Sequence, residues 1–564
     1  MELMGLWIPI LSIVTYIPLV AALAIVFLVP KEKSGAIKTV ATLAVVAGFL
    51  ASLPLWFSFE RGHSGFQFVE VAPWIPSLGV SYHFGIDGIS LVLVLLTTLM
   101  GIIAVACSYT AITERQKEYY VLLLLLQTFM LGTFCSLDLF LFYVFWEVML
   151  VPMYFLIGVW GSDRRLYAAI KFFLYTLAGS VLMLLGIIAL YFYNTTGFLG
   201  YKGLGNAPTF SIEKLTVVAQ SLPAELQIWL FFAFFLGFAI KVPMFPFHTW
   251  LPDAHTEAPT AGSVILAAVL LKMGTYGFVR FSLPMYPDAI TTPWVLTVMV
   301  TLAIIGIVYG AMVTLVQKDM KRLIAYSSVS HLGFVMLGVF ALNMAGIQGA
   351  ILQMVNHGIS TGGLFLLVGM IYERRHTRLI SEYGGIARQM PIYATYFLVM
   401  ALSSMGLPLL NGFIGEFTIL QGAFARSFWW AFFAATGIVL GAAYLLWLYQ
   451  RVFFGEINNS ANASLPDLTP REQLTLVPLV LLALWIGLYP KPMFDVLRVP
   501  SEKIVEAVGG RTVTEPLLAR ENRAPSAGVS LRTAAERDKR RRRDGAKPEA
   551  AGGTSSLAGG AARP

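Results

Sequence analysis

Leu226-Gln-Ile-Trp-Leu-Phe-Phe-Ala-Phe-Phe-Leu-Gly-Phe-Ala-Ile-Lys-Val-Pro-Met-Phe-Pro-Phe-His-Thr-Trp250 is the stretch that decides the fold. Its apolar length exceeds the ~20 residues that cross a ~30 Å hydrocarbon core as a helix. A span must satisfy its own backbone hydrogen bonds, because the bilayer offers none. Pro243 and Pro246 each remove a donor and crowd the turn before them, so the run has to break just after Lys241. A cation beside a broken helix inside a membrane marks an ion site more often than a structural accident.

The rest of the chain agrees with a membrane setting. Of 564 residues, 57% are hydrophobic and 12% are charged, against about 25% charged in soluble domains. Mean hydropathy is +0.74. Charge this sparse excludes a soluble enzyme. Fourteen apolar runs are read at about 7–29, 36–58, 87–111, 119–135, 137–160, 166–193, 226–250, 259–281, 294–316, 321–342, 346–372, 392–425, 428–454 and 471–489. Alternating ten-residue segments, the mark of a barrel, are absent. The expected fold is all-α and polytopic, with about 14 transmembrane helices. The first run follows Glu2 and is too long for a signal-peptide core, so it reads as a retained helix.

Cys107 and Cys135 form no CxxC, no metal-ligand set and no disulfide framework. No glycine-rich dinucleotide fingerprint or P-loop is present, so redox or nucleotide chemistry is assigned to other chains, with no cofactor and no nucleic acid expected here. The excess positive charge is concentrated at the end. Residues 501–564 carry a balance of +5, the remainder +3. The segment 499–564 reads as a basic disordered tail, with Lys539–Arg543 able to touch anionic lipid. With the N-terminus outside, inside loops hold 16 Lys and Arg and outside loops before the tail hold 7. The positive-inside rule then places both termini on the outer side.

Charge at the bilayer centre costs about 2.5–3.5 kcal/mol even on lenient scales. Glu147, Lys241, Lys272 and Glu416 nevertheless lie deep in runs, as do His331 and His357. The run 392–425 is too long for one straight span, and Gly406, Pro408 and Gly412 supply its break. Glu416 therefore sits beside an interrupted helix, as Lys241 does. Glu147 precedes the Lys241 break by 94 residues, and His331 precedes Glu416 by 85. The span count between these positions differs by an odd number, so two inverted five-helix repeats are expected, each with a discontinuous helix. Boundaries follow: 1–112 for three N-terminal spans, 113–283 and 290–455 for the repeats, 456–498 for the last span.

These motifs resemble the antiporter-like proton-pumping subunits of respiratory complex I, NADH:quinone oxidoreductase. The carrying residues are His83-Phe-Gly-Ile-Asp-Gly-Ile-Ser90, Phe145-Trp-Glu-Val-Met-Leu-Val-Pro-Met153, Lys241-Val-Pro-Met-Phe-Pro-Phe-His-Thr-Trp-Leu-Pro-Asp-Ala-His255, Ala258-Pro-Thr-Ala-Gly-Ser263, Asp319-Met-Lys-Arg-Leu-Ile-Ala-Tyr-Ser-Ser328 and Asn411-Gly-Phe-Ile-Gly-Glu416. The resemblance covers about 1–490 and implies 14 helices with spans 4–8 and 9–13 as inverted repeats. It implies that Glu147 pairs with Lys241, that Lys272 is the central lysine, that His331 and His357 join the wire, and that Glu416 is its terminal acid. A glutamate there, where the L and N branches carry lysine, points to the M branch. The resemblance also implies partners among the other membrane subunits, L and N especially, and a bacterial cytoplasmic membrane. NADH, FMN, iron–sulfur clusters and quinone would sit on other subunits. Multi-subunit sodium/proton antiporters and ion-pumping membrane hydrogenases share the same charged spans and stand as alternatives.

Residue chemistry suits this role. Burial and a nearby anion move a lysine's proton affinity in opposite directions, and histidine exchanges protons near neutrality. Lys171 is expected to snorkel or to join Glu147. Asp253, His248 and His255 read as a polar loop rather than as metal ligands. Arg164, Arg165, Lys318, Lys321 and Arg322 read as topology determinants, and Asp138 and Asp319 as helix caps.

Overall fold

The computed structural model describes residues 2–3, 6–198, 200–457 and 459–509. Helices α1 (Ile10–Leu28) and α2 (Ser34–Phe57) lead to an antiparallel hairpin of β1 (Gln67–Ile75) and β2 (Val80–Ile86). Next come α3 (Gly88–Ala111), α4 (Gln116–Cys135), α5 (Leu139–Val148), α6 (Leu150–Trp160) and α7 (Arg165–Asn194). The first broken span is α8 (Ala224–Lys241) and α9 (Trp250–Glu257). It is followed by α10 (Thr260–Met285), α11 (Pro293–Leu315), α12 (Met320–Phe340) and α13 (Met344–Arg375). The second broken span is α14 (Pro391–Ser404) and α15 (Asn411–Arg426). The chain continues through α16 (Phe428–Phe453), α17 (Pro470–Leu488) and α18 (Lys491–Ala507).

Counting α5 and α6 together, 13 helices among the described residues are long and apolar enough to cross a membrane. The run 392–425 makes the remaining crossing from two pieces, α14 and α15, each shorter than a span. The chain is thus an all-α multi-pass membrane protein, with a break where Pro243 and Pro246 required one and a second at Gly406–Gly412. The most apolar windows of α10 and α13 are fully buried, whereas those of α1, α2, α16 and α17 bury well under half. Lys272 and His357 are therefore carried on the helices most shielded from lipid.

Several helix starts carry side-chain caps. Asp138 accepts from Phe140 and Leu141, and Asp319 from Lys321 and Arg322, as expected of them. Asp87 does the same for α3. A long-range cap was not expected: Glu70 of β1, 3% exposed, accepts from the backbone N–H of Leu11 at 2.8 Å and of Ser12 at 3.1 Å. The hairpin thereby places an anion at the positive end of α1.

Other expectations are corrected. The first helix begins at Ile10, not Trp7. The run 137–160 is not one helix. It breaks at Met149, because Pro152 has no N–H for the Val148 carbonyl four residues back. Helical structure passes the expected boundary at 499 and reaches Ala507, with Pro500 inside α18. That helix is amphipathic and buries Val496, Leu497, Ile504 and Val505 on one face. The remainder of the expected tail, 510–564 with Lys539–Arg543, lies outside the described residues.

Glycines set the spacing of the broken helices. A Cβ at Gly179 of α7 would stand 3.0 Å from the Leu236 carbonyl of α8. A Cβ at Gly349 of α13 would stand 2.8 Å from the Ile419 amide of α15. In both halves the broken helix is drawn against the preceding span by a missing side chain, the small-residue packing common between membrane helices.

Candidate proton-relay site

Lys272 lies in the middle of α10, flanked by two wide π turns, Leu266–Leu270 and Phe278–Ser282. Such turns pair residue i with i+5 and occur mostly at functional sites. One of them presents the Ala267 carbonyl to the Lys272 ammonium. The same Nζ lies 2.6 Å from His357 Nδ1 of α13. Lys272 is fully buried and His357 is 1% exposed.

From His357 the path goes on to His331 of α12, with ring centres 5.7 Å apart at 61°. His331 Nδ1 lies 2.9 Å from Glu416 Oε1. Gln353 Nε2 donates to the same oxygen at 3.1 Å. On the other side of the ring, Nε2 has Ser404 Oγ at 3.2 Å and Tyr444 Oη at 3.4 Å. The break between α14 and α15 contributes directly. Gly406 has φ +77°, and a Cβ there would meet Glu416 Oε2 at 3.0 Å. Asn411 at the start of α15 accepts from Ser403, and its carbonyl accepts from Asn356 at 2.7 Å. The sequence-derived set Lys272, His357, His331 and Glu416 thus forms one buried string across α10, α13, α12 and α15.

The other two members are close together but not joined. Lys241, 1% exposed, ends α8 with its Nζ 3.8 Å from Met149 Sδ. It lies 5.4 Å from the Trp146 ring centre and 5.6 Å from that of Phe172, distances at which a ring face attracts a cation. Glu147 is half-buried, its Oε2 has no hydrogen-bond partner, and no ion pair with Lys241 forms. The two charges act on each other through space, with Ser180 beside the carboxyl. The direct pair implied by the resemblance is not the arrangement present. Met149, at the break between α5 and α6, stands where the carboxylate was expected. No hydrogen bond joins Lys241 to Lys272 among the described residues.

His255 went unrecognised as a buried neighbour of this string. It is fully buried, stacked on Phe365 at 4.5 Å and 3°, and neither ring nitrogen has a partner. Lys272, Lys321 and His357 all act on it electrostatically. Lys321 is not simply a charge flanking a span. It is 6% exposed, donates to the Ala258 carbonyl, and lines a cavity of about 260 Å³ with Glu373, His376 and Arg378. Lys171 neither snorkels nor joins Glu147; it pairs with Asp253 of α9 at 2.7 Å. Asp253, His248 and His255 do not converge, since His248 packs between Phe245 and Tyr309. No three His, Cys, Asp or Glu among the described residues are grouped to hold a metal ion. Gln353 was missed too, although it lies four residues before His357, on the same face of α13.

Comparison with known proteins places this geometry. The family described as NADH:quinone oxidoreductase/Mrp antiporter, TM, matches residues 136–441, a range that includes Glu147, Lys241, Lys272, His331, His357 and Glu416. The chain belongs to this antiporter-like family. Among its relatives, NADH-quinone oxidoreductase subunit M of Rhodobacter capsulatus is 47% identical over 493 residues, 86% of this chain and 94% of that protein. NADH-ubiquinone oxidoreductase chain 4 of Marchantia polymorpha is 43% identical over 499 residues, 88% and 97% of the two chains. A chain of respiratory complex I from Thermus thermophilus superposes with a TM-score of 0.79 at 32% identity, covering 89% of this chain and all of that one. A chain of the Mrp complex from Dietzia reaches a TM-score of 0.74 at 21% identity, covering 89% of this chain and 99% of that one, a likeness of fold alone.

Proposed function

We propose that the chain is an M-type proton-translocating membrane subunit of NADH:quinone oxidoreductase. The observation that carries this is the string Lys272–His357–His331–Glu416, buried across the centre of the bundle and bonded at both ends. Each member holds and releases a proton at a defined atom. Lys272 Nζ faces His357 Nδ1, so a proton passes between them without either side chain leaving its helix. His331 Nδ1 faces Glu416, and its ring packs against that of His357 with centres 5.7 Å apart. Glu416 stands at the helix break, where freed backbone and water stabilise its carboxylate.

Glu147 and Lys241 serve as the loading pair. When the carboxylate is near, Lys241 keeps its proton; when they separate, burial makes the lysine a donor. Moving a proton outward works against about 2.3 kcal/mol per 100 mV, so a downhill reaction elsewhere has to drive it. NADH, FMN, iron–sulfur clusters and quinone are placed on other subunits, with L- and N-type chains as neighbours. A bacterial cytoplasmic membrane, with both termini on the outer side, completes the proposal. Relatives above 40% identity support this reading, whereas the sodium/proton antiporter alternative draws on the shared fold at 21%.

The test is Lys272→Met in the assembled complex. Methionine keeps the length and loses the proton, so NADH-driven proton uptake should fall at least about tenfold, within the range general acid–base groups contribute. Uptake equal to wild type, at equal amounts of assembled complex, overturns the assignment.

A further inference from the structure

Two cavities lie at the hairpin end of the bundle, apart from the relay. Each holds about 220 Å³. One is polar and lined by Arg61, His63, Glu213, Arg280 and Lys503. The other is apolar and lined by Leu53, Trp56, Leu95, Leu99 and Trp485. They adjoin along two helices. On α3, Gly88 borders the polar cavity and Val92, one turn on, borders the apolar one. On α18, Val496 borders the polar cavity and Met493 the apolar one. Arg61 and Trp56 close the junction, with the guanidinium 6.0 Å from the ring centre.

The charge in the polar cavity is not balanced. Arg280 is spent on Asp87. Asp495, 3.8 Å from Arg61, is already held by Lys491 at 2.7 Å. Lys503 has no ion-pair partner among the described residues. With Arg280 matched by Asp87 and Asp495 shared between Lys491 and Arg61, Arg61 and Lys503 leave one positive charge in excess of Glu213, which a single added anion would balance. From Gly88 to Leu99 the two cavities extend along α3 for about 16 Å, half of a ~30 Å hydrocarbon core.

We propose that these cavities form one binding site for an anionic phospholipid. Its phosphate sits between Arg61 and Lys503, and one acyl chain lies in the apolar cavity between α2, α3 and α17. The order matches a lipid in its own leaflet: the cationic cavity is at the end of the helices, and the apolar cavity lies a turn deeper. A neutral amphiphile would fill the apolar cavity and leave the two exposed cations to water, without the charge pairing a phosphate adds.

Photocrosslinking on the assembled complex in lipid nanodiscs tests this, with a diazirine in the acyl chain of either phosphatidylglycerol or phosphatidylcholine. Cross-linked peptides are mapped by mass spectrometry. Phosphatidylglycerol should label 49–57 and 92–99 more than phosphatidylcholine does. Labelling should fall about fivefold for each cation removed in Arg61→Ala and Lys503→Ala, the factor expected for one basic residue near anionic lipid. Leu95→Trp, which fills the apolar cavity, should abolish it while quinone-linked turnover stays at wild-type level. Equal labelling by the two lipids, labelling unchanged in the double Arg61→Ala/Lys503→Ala variant, or no lipid label because a neighbouring chain fills the groove would each overturn the proposal.

Discussion

In the first half of the molecule, Glu147 and Lys241 form no ion pair and Lys241 meets Met149 Sδ at 3.8 Å; in the second, His331 and Glu416 are bonded at 2.9 Å. Both halves use the same devices: a broken helix, glycine-mediated packing on the span before it, and a titratable residue near the break. They differ in engagement. The second carboxylate accepts from two side chains, while the first has an oxygen with no partner. An unpartnered buried oxygen costs about 1–3 kcal/mol. That cost is recovered whenever the carboxylate swings to a proton or to an amine. The first half is thus held in a state it gains by leaving, and the second in one it loses by leaving.

The comparison can be broken most sharply at Glu147. Glu147→Ala should lower coupled NADH:quinone turnover by about tenfold or more. It should leave the melting temperature of the assembled complex within a few degrees of wild type, because the carboxyl forms no ion pair and one of its oxygens has no partner. A large fall in melting temperature would show that Glu147 is engaged after all. Glu416→Gln should reduce proton uptake by roughly fivefold or more, and Glu416→Lys, which restores a titratable group, should recover part of it. A lysine variant worse than glutamine makes Glu416 a structural residue. Glu416→Ala should also destabilise by about 1–3 kcal/mol, since it strands His331 and Gln353. Gly406→Ala should cost about 1–3 kcal/mol through its left-handed backbone and its crowding of the carboxylate. Smallest is Asp253→Asn, which weakens a partly exposed pair with Lys171. A stability change below about 1 kcal/mol is expected by thermal melting; a larger one would give that pair a structural role in holding α9.

Much of this was legible in the sequence. Pro243 and Pro246 required the first break, and Gly406, Pro408 and Gly412 the second, because backbone donors and left-handed turns are local properties. The depth of Lys272, His331, His357 and Glu416 followed from counting along apolar runs. Side-chain partners were not legible, because they depend on which helices meet. The Lys272–His357 bond joins residues 85 positions apart. Lys321 looked like a flanking charge, because its burial comes from α9 and α13 closing over it. The break at Met149 could have been read from Pro152, and the run of α18 from the buried spacing of Val496, Leu497, Ile504 and Val505. Composition, which changes near 500, hid that periodicity. The β1–β2 hairpin was obscured by Pro73 within its first strand, at a bulge in the pairing.

The two π turns of α10 carry a further consequence. Each adds one residue to a turn, so each is in effect an insertion held inside a helix. Deleting Ala268 would return the first to ordinary α pitch with the flanking helix kept in phase, and would remove the wide turn that presents the Ala267 carbonyl to the Lys272 ammonium. The helix therefore works as a vernier: its wide turns set the angular phase of the central lysine against ends that are fixed by their own contacts. Deleting a residue of this span outside the two wide turns should be far less tolerated than substituting it, because the deletion turns one end by about 100° against its contacts.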